Sequence, residues 1–225
     1  MGPEATVDLF RRIVEATPAA RDQDHIPTLV LSYPQVPERT PAIRAGDRSI
    51  VPYLVEGVKV LERAGASLIA IPCNTAHYWF DDMQGAVRIP IVHMIREAAA
   101  AAVARWPGLR RCGVLATTGT LASGLYAREL HQLGVASVVV EPALQEAEVM
   151  AAIADIKVRR DRESARERLA RAAAALERQG AELILLGCTE IPLAFDPATT
   201  RLPVLDGNQV LAEVSVQRYR ALGGV

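Results

Sequence analysis

Apolar positions along the chain fall into two spacings that alternate from one end to the other. In residues 5–16, Val7, Leu9, Phe10, Ile13 and Val14 recur at helical spacing behind a Gly2-Pro3 turn, which predicts a helix whose apolar face packs in the core. Residues 28–32, Thr-Leu-Val-Leu-Ser, form a short apolar run and predict a strand. Residues 49–64 then read as an amphipathic helix, 67–71 as a strand that ends just before Cys73, and 89–92 as another strand. An alanine-rich helix over 96–106 leads into a second series. It comprises strand 112–116, helix 121–133, strand 135–140, helices 145–156 and 164–179, strands 183–186 and 204–205, and helix 209–222. Pro34, Pro37 and Pro41 interrupt residues 33–41, predicting an ordered loop with no regular helix. Strands that are apolar throughout and alternate with helices indicate an α/β fold of parallel sheets covered on both faces. Ligands of such sheets bind beyond the carboxyl ends of the strands.

The two series repeat one another. Glu62-Arg63-Ala-Gly-Ala-Ser-Leu-Ile-Ala-Ile-Pro-Cys73-Asn74-Thr75 matches Glu177-Arg178-Gln-Gly-Ala-Glu-Leu-Ile-Leu-Leu-Gly-Cys188-Thr189-Glu190. Arg88-Ile-Pro90-Ile-Val matches Arg201-Leu-Pro203-Val-Leu. The offset is 115 residues at the cysteines and 113 at the prolines. The repeat predicts two pseudo-symmetric lobes facing each other across a cleft. Lobe 1 comprises residues 1–96 and 207–225 and carries Cys73; lobe 2 comprises 97–206 and carries Cys188. It also predicts a strand ahead of Met1, matching strand 112–116, so that the first strand of lobe 1 is missing from the chain as written.

Composition narrows the function classes. The chain has 225 residues, half of them apolar and 23% charged, with a net charge of −1. That balance carries no basic footprint for nucleic acid. The apolar run over residues 68–80 is too short to span a bilayer and is broken by Pro72, Asn74 and His77. Three cysteines without a secretory signal point to free thiols in a reducing cytoplasm.

The chemistry sits at the strand ends. A cysteine there, just before a helix, lies near backbone amides and the positive end of a helix dipole, both of which favour thiolate. Two such thiols, one per lobe, suit stereoinversion at carbon: one removes a proton from one face and the other delivers a proton to the opposite face. The developing carbanion needs its neighbouring carboxylate held by fixed donors, for which Asn74, Thr75, Thr189 and the Thr117, Thr118 and Thr120 loop are placed. The competing readings are a pair of small core residues, a disulfide or a metal site. No Cys-x-x-Cys or histidine pair accompanies either thiol, which weakens the metal reading. Cys112 reads as a core residue, His77 as a helix-face residue or an orienting group, and His25, His93 and His131 as structural or solvated.

Pro72-Cys73-Asn74-Thr75-Ala76-His77-Tyr78 and Gly187-Cys188-Thr189-Glu190-Ile191-Pro192 resemble the two signature segments of the aspartate/glutamate racemase superfamily. Met1 to Thr6, Pro37-Glu38-Arg39-Thr40 and Ala116-Thr117-Thr118-Gly119-Thr120 resemble it as well. The aspartate branch is the nearer match, because the glutamate branch usually has His where this chain has Glu190. The resemblance implies a cofactor-independent two-cysteine racemase of an acidic amino acid, commonly a homodimer. It implies Cys73 and Cys188 as the proton donor and acceptor. Asn74, Thr75 and Ala76 would hold the α-carboxylate, opposite Thr189 and Glu190, and Glu190 would accept the ammonium. Met1 would line the site. Arg39 and Lys157 would take the distal carboxylate, a role that suits paired cations beside a buried dicarboxylate. Glutamate or broad acidic racemisation, hydantoin racemisation, maleate isomerisation and silent amino-acid binding stand as the alternatives.

Overall fold

A computed structural model describes residues 1–158 and 161–223. The end of the predicted lobe 1, residues 224–225, and positions 159–160 of lobe 2 lie outside the described residues. The architecture is α/β with two parallel sheets flanked by helices. The first sheet pairs β1 (Ile69–Ala70) with β2 (Ile91–Val92). The second contains β3 (Arg111–Leu115), β4 (Ala136–Val138), β5 (Leu183–Leu186) and β6 (Val204–Asp206), in the order β4-β3-β5-β6 and all parallel.

The sequence repeat is a structural repeat down to single hydrogen bonds. The Ile69 amide donates to Pro90 O at 3.0 Å, and the Ile184 amide donates to Pro203 O at 2.9 Å. Ahead of these strands, Gly65 and Gly180 end their helices at φ 93° and 79°, a left-handed turn that glycine adopts without steric cost. The strands are mostly apolar because helices cover both faces of the sheets. β5 is buried along its whole length, Leu183 and Leu185 facing one apolar cluster and Ile184 and Leu186 the other. Cys112 lies in that core, and burial pushes its thiol up to about 12, as expected of a structural cysteine.

The helix Pro3–Ala16 packs on the C-terminal helix Gly207–Ala221. Their junction is polar: Arg12 bridges Asp8 and Asp206, each at 2.7 Å, and the Asn208 side-chain amide donates to Asp8 at 2.7 Å.

Four expectations change. Residues 28–32 belong to no sheet. A strand needs a hydrogen-bonded neighbour, and the space between this segment and β1 is a cavity of about 500 Å³. Of the predicted core face of the first helix, Leu9 is buried but Val7, Phe10 and Val14 are exposed, because the helix rests on its neighbours along a narrower stripe. Helix 121–133 is two helices, Thr118–Ala122 and Leu125–Gln132, broken at Gly124 with φ 67°. Finally, Arg39–Ala45 is helical despite Pro41. Proline is tolerated in a first turn, whose amides need no intrahelical partner.

Candidate active site

Cys73 and Cys188 follow equivalent strands and line one small cavity with Gly2, Arg39, Pro72, Asn74, Thr75, Thr117, Lys157, Thr189 and Glu190. Its volume is about 20 Å³, room for a single water. Seven sequence-predicted residues besides the two cysteines therefore converge there. Four do not line it: Ala76, Thr118, Met1 and Thr120, whose hydroxyl is bonded to those of Thr75 and Thr117. Ala76 is buried among the apolar residues behind Cys73. Thr118 turns away, its hydroxyl donating to Glu146 at 2.9 Å, so that Thr117 takes the cavity position on this loop. Met1 borders the larger apolar cavity of the first sheet.

Cys73 is held from behind. The Met94 amide donates to His77 Nε2 at 3.1 Å, so this nitrogen is an acceptor and the proton sits on Nδ1. Nδ1–H then donates to the Cys73 carbonyl at 2.9 Å. Burial lowers the His77 pKa and keeps the ring neutral. His77 is thus an orienting group that ties the loop after β1 to the helix Met94–Arg105.

Asn74 is held by a residue of the helix Leu125–Gln132. Its Oδ1 accepts a hydrogen bond from the Tyr126 hydroxyl at 2.7 Å, and both residues are 2% exposed. Sequence reading missed Tyr126; its only local signal is an aromatic among the apolar positions of its helix. Gly187, where the first repeat has Pro72, makes room for it: a Cβ at Gly187 would lie 2.8 Å from the Tyr126 ring. With Oδ1 committed, the Asn74 amide nitrogen has no hydrogen-bond partner among the described residues, and neither has the buried Arg39 Nε. Buried donors left open in this way are the exception in folded proteins and mark a place for an acceptor. The other guanidinium edge of Arg39 donates to Val36 O at 3.2 Å and Pro37 O at 3.0 Å, which fixes its plane. Lys157 ends the helix Ala151–Lys157 with its side chain exposed, yet it borders the same cavity.

The threonine hydroxyls are committed to one another. Thr75, Thr117 and Thr120 form a triangle with separations of 3.0, 2.8 and 2.9 Å, stitching the loop after β1 to the loop after β3. The Thr189 hydroxyl lies 3.3 Å from Pro72 O and 3.2 Å from Glu190 Oε2.

The environment of Cys188 reverses an expectation. Its thiol donates to Glu190 Oε2 at 3.1 Å. Burial, and then the Glu190 charge, raise its pKa well above the ordinary thiol value, against smaller opposing pulls from the Glu190 backbone amide and from Lys157. At neutral pH this group is a thiol poised to give a proton; the backbone and helix dipole do not make it a thiolate here. Among the described residues, no group of three or more His, Cys, Asp or Glu side chains could hold a metal ion. No described helix is long and apolar enough to cross a membrane.

Two equivalent strand ends each place a cysteine at a shared cavity that also holds open donors and cations, an arrangement that suits a small anionic ligand in an α/β fold. The comparisons with known proteins agree. Residues 1–214 match the model of the Asp/Glu/Hydantoin racemase family, and the chain belongs to that family. The broad specificity amino-acid racemase RacX of Bacillus subtilis (strain 168) is 26% identical over 231 residues, covering 98% of this chain and 96% of that protein. The structure of Picrophilus torridus aspartate racemase superposes with a TM-score of 0.85 at 29% identity, covering all of this chain and 91% of the other. An aspartate racemase homologue from Pyrococcus horikoshii OT3 superposes at 0.76 with 26% identity, covering 97% and 95%. The chain is accordingly an amino-acid racemase.

Proposed function

We propose that this racemase acts on aspartate, without a cofactor, by a two-base mechanism in which Cys73 and Cys188 exchange protons with opposite faces of Cα. The observation that supports it is the convergence of both thiols on one cavity with the open Asn74 amide, the open Arg39 Nε and Lys157. The Asn74 amide takes the α-carboxylate, where charge develops as Cα loses its proton. Arg39 and Lys157 take the side-chain carboxylate. Glu190 leaves the Cys188 thiol to accept the substrate ammonium, and its departure enlarges a space whose volume is only about 20 Å³. For one enantiomer, Cys73 as thiolate removes the α-proton and the Cys188 thiol delivers its proton to the other face. The reverse reaction exchanges the roles, each turnover moving one proton on and one off. The lobes 1–96 with 207–225 and 97–206, a homodimeric assembly and a cytoplasmic location belong to this proposal.

The test is proton NMR in deuterated water with chiral analysis, on L- and D-aspartate, both enantiomers of glutamate, and a panel of neutral and basic amino acids. Cys73→Ala and Cys188→Ala each lower racemisation by about 10²–10⁴-fold, the range of general acid–base contributions. Each variant retains some exchange of the α-proton of one enantiomer. Racemisation at wild-type rate by either variant would refute the two-base reading. The similarity to a relative named for broad specificity motivates the panel, and turnover of neutral amino acids as fast as aspartate would reassign the substrate class.

A further inference from the structure

The helix Arg39–Ala45 rests on the helix Thr118–Ala122 with almost no space between them at Gly119, which is buried. A Cβ built on Gly119 would lie 2.5 Å from Thr40 Oγ1, 2.8 Å from Thr40 Cα and 2.9 Å from Thr40 Cβ. One of these contacts is to backbone, so no side-chain rotation relieves it. Gly119 also sits inside a helix and outside the left-handed region, where glycine is destabilising relative to alanine. Its own conformation therefore does not call for glycine; the close approach of Thr40 does.

The Gly119 side of this contact is fixed. Ala116 O accepts from the Gln145 side-chain amide at 2.8 Å. The Thr118 amide donates to Met150 Sδ at 3.3 Å, its hydroxyl donates to Glu146 at 2.9 Å, and Thr117 and Thr120 belong to the hydroxyl triangle. The facing helix has seven residues, and the ion pair that ties it to Glu146, from Arg44 at 3.5 Å, is exposed. A side chain at 119 thus displaces the helix Arg39–Ala45. The retreat is about 0.7–1.2 Å, the gap between 2.8 Å and an ordinary carbon–carbon contact. Arg39 adjoins Thr40, borders the cavity and carries an open Nε, so it moves with the helix. We infer that Gly119 is a positioning residue for recognition of the substrate's side-chain carboxylate: the lack of a side chain there sets how far Arg39 reaches into the cavity. This rests on the reading of Arg39 as a ligand of that carboxylate. The carboxylate keeps its charge throughout the reaction, so its contact with Arg39 binds ground state and transition state alike and is read in KM rather than kcat.

The experiment compares Gly119→Ala, Arg39→Ala and the double variant in aspartate racemisation, with thermal melts to check folding. Gly119→Ala is expected to raise KM for aspartate by about tenfold or more, as a misplacement near 1 Å can, and to lower kcat by less than about threefold. In the Arg39→Ala background the same change has no further effect on KM, because the group it displaces is gone. The exchange Thr40→Gly/Gly119→Ala removes two of the three collisions, including the shortest, and is expected to recover about threefold or more in KM. If Gly119→Ala alone does not fold, this exchange carries the same cycle with Thr40→Gly as its reference. An unchanged KM, a loss confined to kcat, or an equal rise in KM with and without Arg39 overturns the inference while Arg39→Ala itself remains impaired. Arg39→Ala with the KM of the unaltered enzyme strikes instead at the reading of Arg39, and the inference falls with it.

Discussion

Replacing Tyr126 with Phe tests how the two halves of the molecule share the site. The change removes one hydroxyl and leaves the ring to fill its place against Gly187. In the wild type that hydroxyl donates to Asn74 Oδ1 at 2.7 Å, with both residues 2% exposed. Without it, the oxygen is buried with no donor, and the Asn74 nitrogen already lacks a protein acceptor. A buried acceptor left unsatisfied costs about 1–3 kcal/mol. For a chain of this size, about 2–4 °C accompanies each kcal/mol, so Tm falls by ~2–12 °C. The effect on catalysis is separate. Oδ1 no longer anchors the amide, so its nitrogen is not held towards the substrate carboxylate. A hydrogen bond to a charged group contributes about 1.5–3 kcal/mol, and kcat/KM therefore falls ~10–100-fold. The assay is a double-mutant cycle of Tyr126→Phe and Asn74→Ala, read in kcat/KM for racemisation and in thermal melts. If Tyr126 acts through Asn74, the double variant is no slower than Asn74→Ala alone. Fully additive losses in kcat/KM, or a Tyr126→Phe protein that melts and turns over like wild type, would refute the reasoning.

Two further predictions concern charge. Glu190→Gln removes the carboxylate that, after burial, raises the Cys188 pKa, so the thiolate forms at lower pH. The rising limb of the pH profile of kcat/KM, in the direction where Cys188 is the base, moves to lower pH; an unmoved or upward-shifted limb would contradict the assignment. Burial pushes the Asp8 pKa up, but hydrogen bonds from Arg12, Arg11 and Asn208 outweigh it, leaving the pKa below its ordinary 3.8. The stability this provides is present above that ordinary value and lost as pH falls through the lowered one. Asp8→Asn lowers stability at pH 7 by about 1.5–3 kcal/mol, the range for hydrogen bonds to charged groups. In melts across pH, its gap from wild type closes below pH 3.8; a gap independent of pH would show that charge plays no part.

The parallel α/β plan was legible because it is local. Apolar runs such as residues 183–186 have only one way to be covered, and the internal repeat reports equivalent strand ends wherever they lie in space. That is why the equivalence of the strand ends at Cys73 and Cys188, and of the segments at Pro90 and Pro203, was legible in the sequence alone. The convergence of Arg39 and Lys157 on one cavity was foreseeable only through family resemblance, since nothing near either residue points at the other. What the chain could not announce was how each group is occupied once the halves meet. Residues 28–32 carry strand-like side chains, yet a strand exists only where a neighbour offers hydrogen bonds, and the neighbouring position is a cavity. Thr75, Thr117 and Thr120 have equal claims as donors on paper; contact between the loops after β1 and β3 turns them into a closed triangle and leaves Asn74 and Arg39 as the open donors. Strand-end placement argued for a thiolate at Cys188, and the fold reversed that by burying the sulfur beside Glu190. Sequence determined which residues stand at the strand ends, because periodicity and repetition are properties of the chain. Tertiary structure decided their protonation and their partners, because burial and hydrogen bonding between distant segments are properties only of the assembled fold.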